Sequence, residues 1–291
     1  MIHTAGPAKD EAARVTWPAV QLAQRRNEQA RVPFFLAGQR VGSVARQHLP
    51  VLARWPAWLQ VRNGGLVLDG GDPTAALAHI NTALRVQGLV LGWRDESYAI
   101  VGLDPAPDSG RVLARTERAA ARFWGTLTLG AHANGFVADA TGRPTHLWVA
   151  RRALSKATDP GLLDNLVGGG VPDGQTPWQT LVREGWEEAG LPPAVMTTAR
   201  AGRVIRLHRD VAEGLQLEDI HSHDLQLPQG LLPANQDGEV AGFECLPVQQ
   251  ALACAATGQM TVDTALVVLD FALRHGLCAT PAGAWQLMRS G

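Results

Sequence analysis

Lysine is nearly missing from this chain: of 291 residues only Lys9 and Lys156 are lysines. The arginines are dispersed, so no basic stripe or patch is present for a phosphate backbone, and a nucleic-acid partner is not expected. Charge is thin altogether. Charged residues make up 18% of the chain against 46% hydrophobic, with a formal net charge of -1, which excludes a self-repelling disordered polymer and leaves a globular protein. Cysteine is also scarce. Cys245, Cys254 and Cys278 lie in the last fifth of the chain without C-x-x-C spacing, which gives neither a disulfide framework nor a zinc knuckle and fits reduced intracellular thiols. No long apolar run is present either: residues 264–273 come nearest and are interrupted by Asp270, and the first residues carry charge where a signal peptide needs an apolar stretch. A soluble, cytoplasmic protein with no membrane partner is expected, with a two-fold homodimer as the commonest assembly.

Length leans toward two domains. Residues 1–115 read as a small α/β unit, with a helix near 18–29, strands near 33–44 and 59–68, a helix near 73–86 and a strand near 98–103. Asn63-Gly64-Gly65 is a hairpin signal, and Asp72-Pro73 starts a helix. A polar, proline-containing stretch at 104–110 is a linker or loop. Over 116–291 the strands lengthen. Strands are expected near 132–138, 146–151, 203–208, 221–227 and 239–246, a helix near 177–189, and two helices at the C-terminal end. The fold class is α/β (α+β): a mixed sheet flanked by helices, preceded by a small α/β domain.

Chemistry concentrates between Gly168 and Leu191. Three consecutive glycines, Gly168 to Gly170, lead into Thr176-Pro177 with Gln179 three places on, a capping box with proline at the first helical position; Gly190 followed by Pro192 and Pro193 closes the helix. At 100° per residue, Glu184, Glu187 and Glu188 share about a third of the circumference, while Trp178, Val182, Gly185 and Ala189 take roughly the opposite, core-facing side. Carboxylates at i, i+3 and i+4 with no basic residue between them repel one another, and a cation relieves the repulsion. Hard oxygen donors in this number favour Mg2+ or Mn2+ over zinc. Taken alone, Glu-x-x-Glu-Glu is equally a solvated acidic face; its neighbours Arg183 and the glycine loop single it out.

The same stretch resembles the Nudix box, a glycine loop followed by Arg-Glu and Glu-Glu on one helix, with Gly169, Arg183, Glu184, Glu187, Glu188, Gly190 and Leu191 in register. Gln175 stands where the first glutamate is expected, and Gly185 stands at an apolar position. Lys156, Pro160-Gly161, Asp164-Asn165, the run 166–170, His132-Ala133-Asn134-Gly135 and Asp237-Gly238-Glu239-Val240 further resemble the Nudix branch related to thiamine pyrophosphokinase. That likeness covers residues 115–277, and in this branch the Nudix domain follows an N-terminal accessory domain.

The resemblance implies a metal-dependent hydrolase that cleaves a diphosphate linked to another moiety, with thiamine diphosphate or an oxidised analogue cut to the monophosphate. A nucleoside diphosphate derivative is the alternative small-molecule partner, and Gln175 keeps a non-catalytic ligand-binding module in view. An isoprenoid diphosphate isomerase needs a cysteine near the box, and no cysteine precedes Cys245. By resemblance, Glu184, Glu187, Glu188 and Gly169 hold the metal, and Arg183 orients the carboxylates. Glu239 is a further ligand or general base, or else an exposed turn acid. Lys156 pairs with a terminal phosphate or is a solvated loop lysine. Asn165, Gly169, Gly170, His132 and Asn134 are candidate substrate contacts. Trp124, Trp55, Trp58 and Trp93 are candidate ring walls or core residues, and His221 and His223, on one strand face, have no third ligand at a telling spacing.

Overall fold

The computed structural model describes residues 17–105, 110–156, 158–228 and 230–289. The first helix is shorter than expected. Helix α1 covers only Pro18–Leu22, because the chain beyond it lies along a later strand: Ala23 and Arg25 accept main-chain hydrogen bonds from His208 and Asp210 at 2.8 and 2.9 Å. Strands β1 (Arg31–Leu36) and β2 (Gln39–Ala45) form a hairpin where one long strand was expected. Its two-residue turn has positive φ at both Ala37 and Gly38, the primed geometry that matches strand twist. The short helix α2 (Leu49–Leu52) leads to β3 (Leu59–Arg62) and β4 (Gly65–Leu68), joined through Asn63 and Gly64 as that dipeptide signals. The four strands run in the order β2-β1-β4-β3.

Helix α3 (Pro73–Val86), capped by the Asp72 side chain on Thr74 N–H, covers this sheet. A hairpin of β5 (Ser97–Val101) and β6 (Val112–Glu117) follows, then helix α4 (Arg118–Trp124), which ends at Gly125 in the left-handed conformation. One apolar core unites these elements, including Phe34, Leu77, Ile80, Leu84 and Trp124. The boundary expected at 115/116 therefore falls inside β6, and α4 still shares the N-terminal core. Trp124 belongs to that core and walls no cleft: it is fully buried, stacks on Phe34 and donates from Nε1 to Asn81 Oδ1 at 2.7 Å. Trp55, Trp58 and Trp93 pack against the same core.

The second, larger sheet uses β7 (Leu127–Ala138), β8 (Pro144–Arg152), β9 (Leu163–Asp164) and β10 (Val167–Gly170). Helices α5 (Pro177–Ala189) and α6 (Pro193–Met196) come next, then β11 (Arg200–Val211), β12 (Gly214–Gln226) and β13 (Val240–Pro247). Helices α7 (Val248–Ala256), α8 (Val262–Arg274) and α9 (Ala284–Leu287) and strand β14 (Met288–Arg289) complete the described chain. The path is β13-β8-β7-β12-β11-β14, with β10 added on β7 and β9 on β8. Strands β7 and β12 are parallel, so the sheet is mixed. Helix α5 packs on one face through Leu166, Leu181, Ala189 and Met196, and α7 and α8 pack on the other through Leu252, Leu266 and Phe271. Strands β11 and β12 outrun their expected limits because their extensions are held by polar cross-strand pairs, Arg209 with Gln216 among them, which an apolar pattern does not register.

Candidate active site

Strand β10 brings the three glycines against β7 in antiparallel register, with Gly168 opposite His132, Gly169 opposite Ala131 and Gly170 opposite Gly130. Successive strand residues face opposite sides, and here both sides are occupied at close range. A methyl group on Gly169 would overlap the Glu184 carboxylate of α5; one on Gly170 would overlap the Tyr98 hydroxyl, and one on Gly168 would lie 2.8 Å from the His132 ring. Glycine is required here to let side chains from two directions close on the strand.

Helix α5 starts as its sequence dictates. Thr176 Oγ1 accepts from Gln179 N–H, the Gln179 side chain accepts from Thr176 N–H, and Gly190 closes the helix with φ 63°. Its roll differs from the expectation. Leu181, Gly185, Glu188 and Ala189 are buried while Trp178 is 37% exposed, so Glu188 leaves the polar face and turns toward the sheet. A main-chain donor explains this: Gly168 N–H donates to Glu188 Oε2 at 2.8 Å. Gly185, the departure from the apolar box position, is filled from outside the helix, since a Cβ there would come within 2.6 Å of Met196 Sδ.

Arg183 spans two of the three carboxylates, donating from NH2 to Glu184 Oε1 at 2.7 Å and from NH1 to Glu187 Oε2 at 2.5 Å; its buried Nε has no acceptor among the described residues. Burial pushes the Glu184 carboxyl above its ordinary range, with Arg183 opposing and Glu187 adding to the shift. Burial also holds Glu188 well above the ordinary range, reinforced by Glu184 and opposed by the Gly168 amide. Gln175 is turned to the helix, its Oε1 accepting from Thr180 Oγ1 at 3.0 Å.

Among the described residues no three acidic, histidine or cysteine side chains are grouped as a metal cluster, because Arg183 holds Glu184 and Glu187 while Gly168 holds Glu188. The donor set nonetheless fits a hard divalent cation. Two carboxylates kept protonation-prone by burial and mutual repulsion sit beside a third, against a glycine strand whose missing side chains let Glu184 close on the main chain. All the candidate ligands are oxygen, which favours Mg2+ or Mn2+.

Glu239, just before β13, is engaged by two cations. Lys156 Nζ bonds its Oε2, and Arg94 NH1, from the N-terminal region, lies 3.1 Å from its Oε1. Burial raises the Glu239 carboxyl, and the two cations outweigh it, holding the group below the ordinary range. Lys156 is close enough to Glu188 for its charge to be felt there. His132, Asn165 and Asn134 form a buried chain: His132 Nδ1 to Asn165 Oδ1 at 2.9 Å, and Asn165 Nδ2 to Asn134 Oδ1 at 3.0 Å. Asn134 and Asn165 are 2% and 3% exposed, so they support the strands from within, whereas His132 reaches open space. His221 and His223 are both lowered by burial, and His223 packs against Trp178 with ring centroids 5.8 Å apart.

That open space is a cavity of about 520 Å3 on the Tyr98 and His132 side of the glycine strand. Gly168, Gly169 and Gly170 border it together with His132, Glu218 and Asp263 of the larger sheet and its helices, and Tyr98, Arg118 and Arg122 from the N-terminal region. Gln216 Nε2 bridges Glu218 and Asp263, at 2.8 and 3.1 Å. The residues from the N-terminal region escaped the sequence reading. Tyr98, the single tyrosine, was the one signal available; Arg118, Glu218 and Asp263 belong to no motif, and only the fold gathers them.

Comparison with known proteins accords with this geometry. Residues 128–264 match the NUDIX domain family, and residues 16–128 match a family described as a domain of unknown function (DUF4743). Nudix hydrolase 20, chloroplastic, of Arabidopsis thaliana is 38% identical over 207 residues, which cover 70% of this chain and 54% of that protein. Nudix hydrolase 24, chloroplastic, of the same plant is 37% identical over 208 residues, covering 71% and 55%. An uncharacterized protein of Saccharomyces cerevisiae is 31% identical over 199 residues, covering 64% and 56%. The chain thus spans about half the length of the curated relatives it matches. Both plant proteins are named for a compartment other than the cytoplasm expected for this chain, and no helix among the described residues is long and apolar enough to cross a membrane.

Proposed function

We propose, from the match of residues 128–264 to the NUDIX domain family, that this chain is a metal-dependent pyrophosphohydrolase acting on a diphosphate linked to another moiety, with thiamine diphosphate or an oxidised analogue as that substrate. The observation that carries the reading is the packing of Glu184 over Gly169 and of Glu188 on Gly168 N–H, with Arg183 bridging Glu184 and Glu187. When bound, Mg2+ or Mn2+ neutralises the diphosphate and makes a coordinated water acidic enough to serve as nucleophile. Glu184, Glu187, Glu188 and the Gly169 carbonyl are the groups that would hold the ion. Arg183 keeps the carboxylates in place, and the absence of side chains at Gly169 and Gly170 lets Glu184 and the Tyr98 hydroxyl close on the strand. Glu239, once released by Lys156, takes a proton from the attacking water, and Lys156 is then free to pair with the terminal phosphate.

The charge of the cavity favours thiamine over a nucleotide. Its walls carry Asp159, Asp164, Asp210, Glu213, Glu218 and Asp263 against Arg118, Arg122, Arg152 and Arg209. An acidic excess suits a cationic thiazolium ring better than a neutral base. The test is release of phosphate and monophosphate by the purified protein in Mg2+ from thiamine diphosphate, oxythiamine diphosphate and a set of nucleoside diphosphate derivatives. Selective turnover of the thiamine compounds, abolished by Glu184→Gln in a folded variant, is the expected result. Turnover of nucleotides alone removes the thiamine assignment, and no turnover of any compound leaves a binding module.

A further inference from the structure

The cations around the glycine strand are unequally committed. Arg183 is spent on Glu184 and Glu187, and Lys156 and Arg94 on Glu239. Arg115 pairs with Asp173 at 2.5 Å; Arg152 pairs with Asp164 at 2.6 Å and donates to the Thr158 carbonyl at 2.8 Å. Arg118, the first residue of α4, differs. Its NH1 donates to Glu96 Oε2 at 2.7 Å, the sole side-chain hydrogen bond it makes among the described residues. Its NH2 instead lies 3.4 Å from where a Cβ of Gly170 would stand, and the guanidinium is 5.7 Å from the Tyr98 ring centroid. The side chain is 36% exposed and borders the cavity beside Gly168, Gly169 and Gly170. Tyr98, 5% exposed, packs its hydroxyl against the same Gly170.

These contacts are held by main-chain registration between the two regions. Asp173 N–H, in the loop between β10 and α5, donates to the Ser97 carbonyl at 2.8 Å, and Arg118 N–H donates to the Glu96 carbonyl at 2.8 Å. The hairpin of β5 and β6 is thereby fixed to the loop that precedes the acidic helix. A guanidinium with one free edge, fixed over a strand without side chains, can meet phosphate oxygens that a Lys or a fully paired Arg cannot reach.

We propose that the N-terminal region forms the second wall of the diphosphate site, and that Arg118, supported by Tyr98, binds the phosphate oxygens of the substrate from the side opposite the acidic helix. The proposal rests on the pyrophosphohydrolase reading for the identity of the ligand, and it assigns the accessory region a direct part in substrate binding. Arg118 is a binding and positioning residue, and it takes no proton in the reaction.

The test measures binding of methylenediphosphonate, a diphosphate with a non-hydrolysable bridge, to the full chain in Mg2+ by calorimetry. Arg118→Ala is expected to raise Kd roughly tenfold to hundredfold, as loss of a charge-assisted hydrogen-bond pair does, with Arg118→Lys in between. Glu96→Gln is the control for a structural role: it breaks the same ion pair but frees Arg118, so binding is expected to hold or tighten. Equal loss in Arg118→Ala and Glu96→Gln reduces Arg118 to a structural pair and overturns the proposal, as does unchanged Kd in Arg118→Ala or no binding by the unaltered chain. Arg118-dependent binding without hydrolysis of any diphosphate leaves the proposal standing and removes the enzyme reading.

Discussion

Glu188 offers a test in which the effect on stability depends on metal. Its carboxylate is 8% exposed, accepts one main-chain hydrogen bond from Gly168 and feels Glu184 as a like charge. A carboxyl whose folded pKa is raised adds stability that is fully present below its unfolded pKa, and loses it as pH rises through the folded value. Without metal, the ionised group is therefore a liability at neutral and alkaline pH. Glu188→Gln keeps the acceptor for Gly168 N–H and turns the repulsion from Glu184 into a donor contact. An ill-compensated buried polar or charged group costs about 1–3 kcal/mol, which at about 2–4 °C per kcal/mol for a chain of this size raises the melting temperature by roughly 2–12 °C. The gain should be present in EDTA at pH 8 and fade as pH falls below the ordinary glutamate value of about 4.3, where Glu188 becomes protonated in both states. Mg2+ at a hundredfold excess over Kd stabilises the unaltered chain by about 2.7 kcal/mol, and the variant by less than half of that. Calorimetric melts at several pH values, with EDTA or Mg2+, read all four quantities. A variant less stable than the parent in EDTA at pH 8, or one stabilised by Mg2+ as strongly as the parent, refutes the account of Glu188 as a metal-seeking carboxylate.

Gly169→Ala places a methyl into the Glu184 carboxylate while leaving the strand backbone allowed; turnover of the best substrate should fall at least tenfold, and circular dichroism should remain unchanged. Gly185→Leu, which restores the apolar residue of the box, collides with Met196 Sδ and should cost about 1–3 kcal/mol, largely recovered in the double variant with Met196→Ala by urea denaturation. His208 is lowered to about 4, by burial first and then by the charges of Arg26, Arg40 and Arg206. Its depressed folded value means that the unfolded chain takes up a proton first, so stability is lost as pH falls from about 6.5 toward 4; His208→Gln should make that loss shallower by roughly 1 kcal/mol after allowance for solvent screening, read as a smaller drop in melting temperature between pH 7 and 5.

How much of this was legible follows from what kind of interaction fixes each part. Helix α5 is written locally, since the Thr176 and Gln179 caps, Pro177 and Gly190 act within four residues of themselves, and its limits at Pro177–Ala189 coincide with the sequence reading. The hairpin at Asn63-Gly64 is local in the same sense. The roll of α5 is not. It depends on a donor at Gly168, twenty residues before Glu188, and on Met196 filling the place of a side chain at Gly185. Helical periodicity treats every glutamate as polar and every glycine as small, so it assigned Glu188 to the outer face. The shortened α1 has a similar origin, because the competing partner of Ala23 and Arg25 lies on β11, nearly two hundred residues away.

The wall built by Tyr98 and Arg118 is the part furthest from sequence-level reach, for a physical reason. The box residues form one local unit of loop and helix, so their spacing is a direct record of their geometry. Arg118 meets Gly170 only because β6 ends where α4 begins and the β5 and β6 hairpin is tied through Ser97 to Asp173. Nothing in the residues 110–120 fixes that meeting without the 50 residues that follow. The cavity charge has the same character: Glu218 of β12 and Asp263 of α8 become neighbours through Gln216. On the proposed reading, the phosphate chemistry is written in one local unit of loop and helix, whereas the cavity is assembled from distant elements. On this physical division, changes at Glu218 and Asp263 should alter which diphosphate is bound, changes at Arg118 how tightly any diphosphate is bound, and changes at Glu184, Glu187 and Glu188 whether any diphosphate is cleaved, as read by titrating each variant with the same set of diphosphates and following phosphate release.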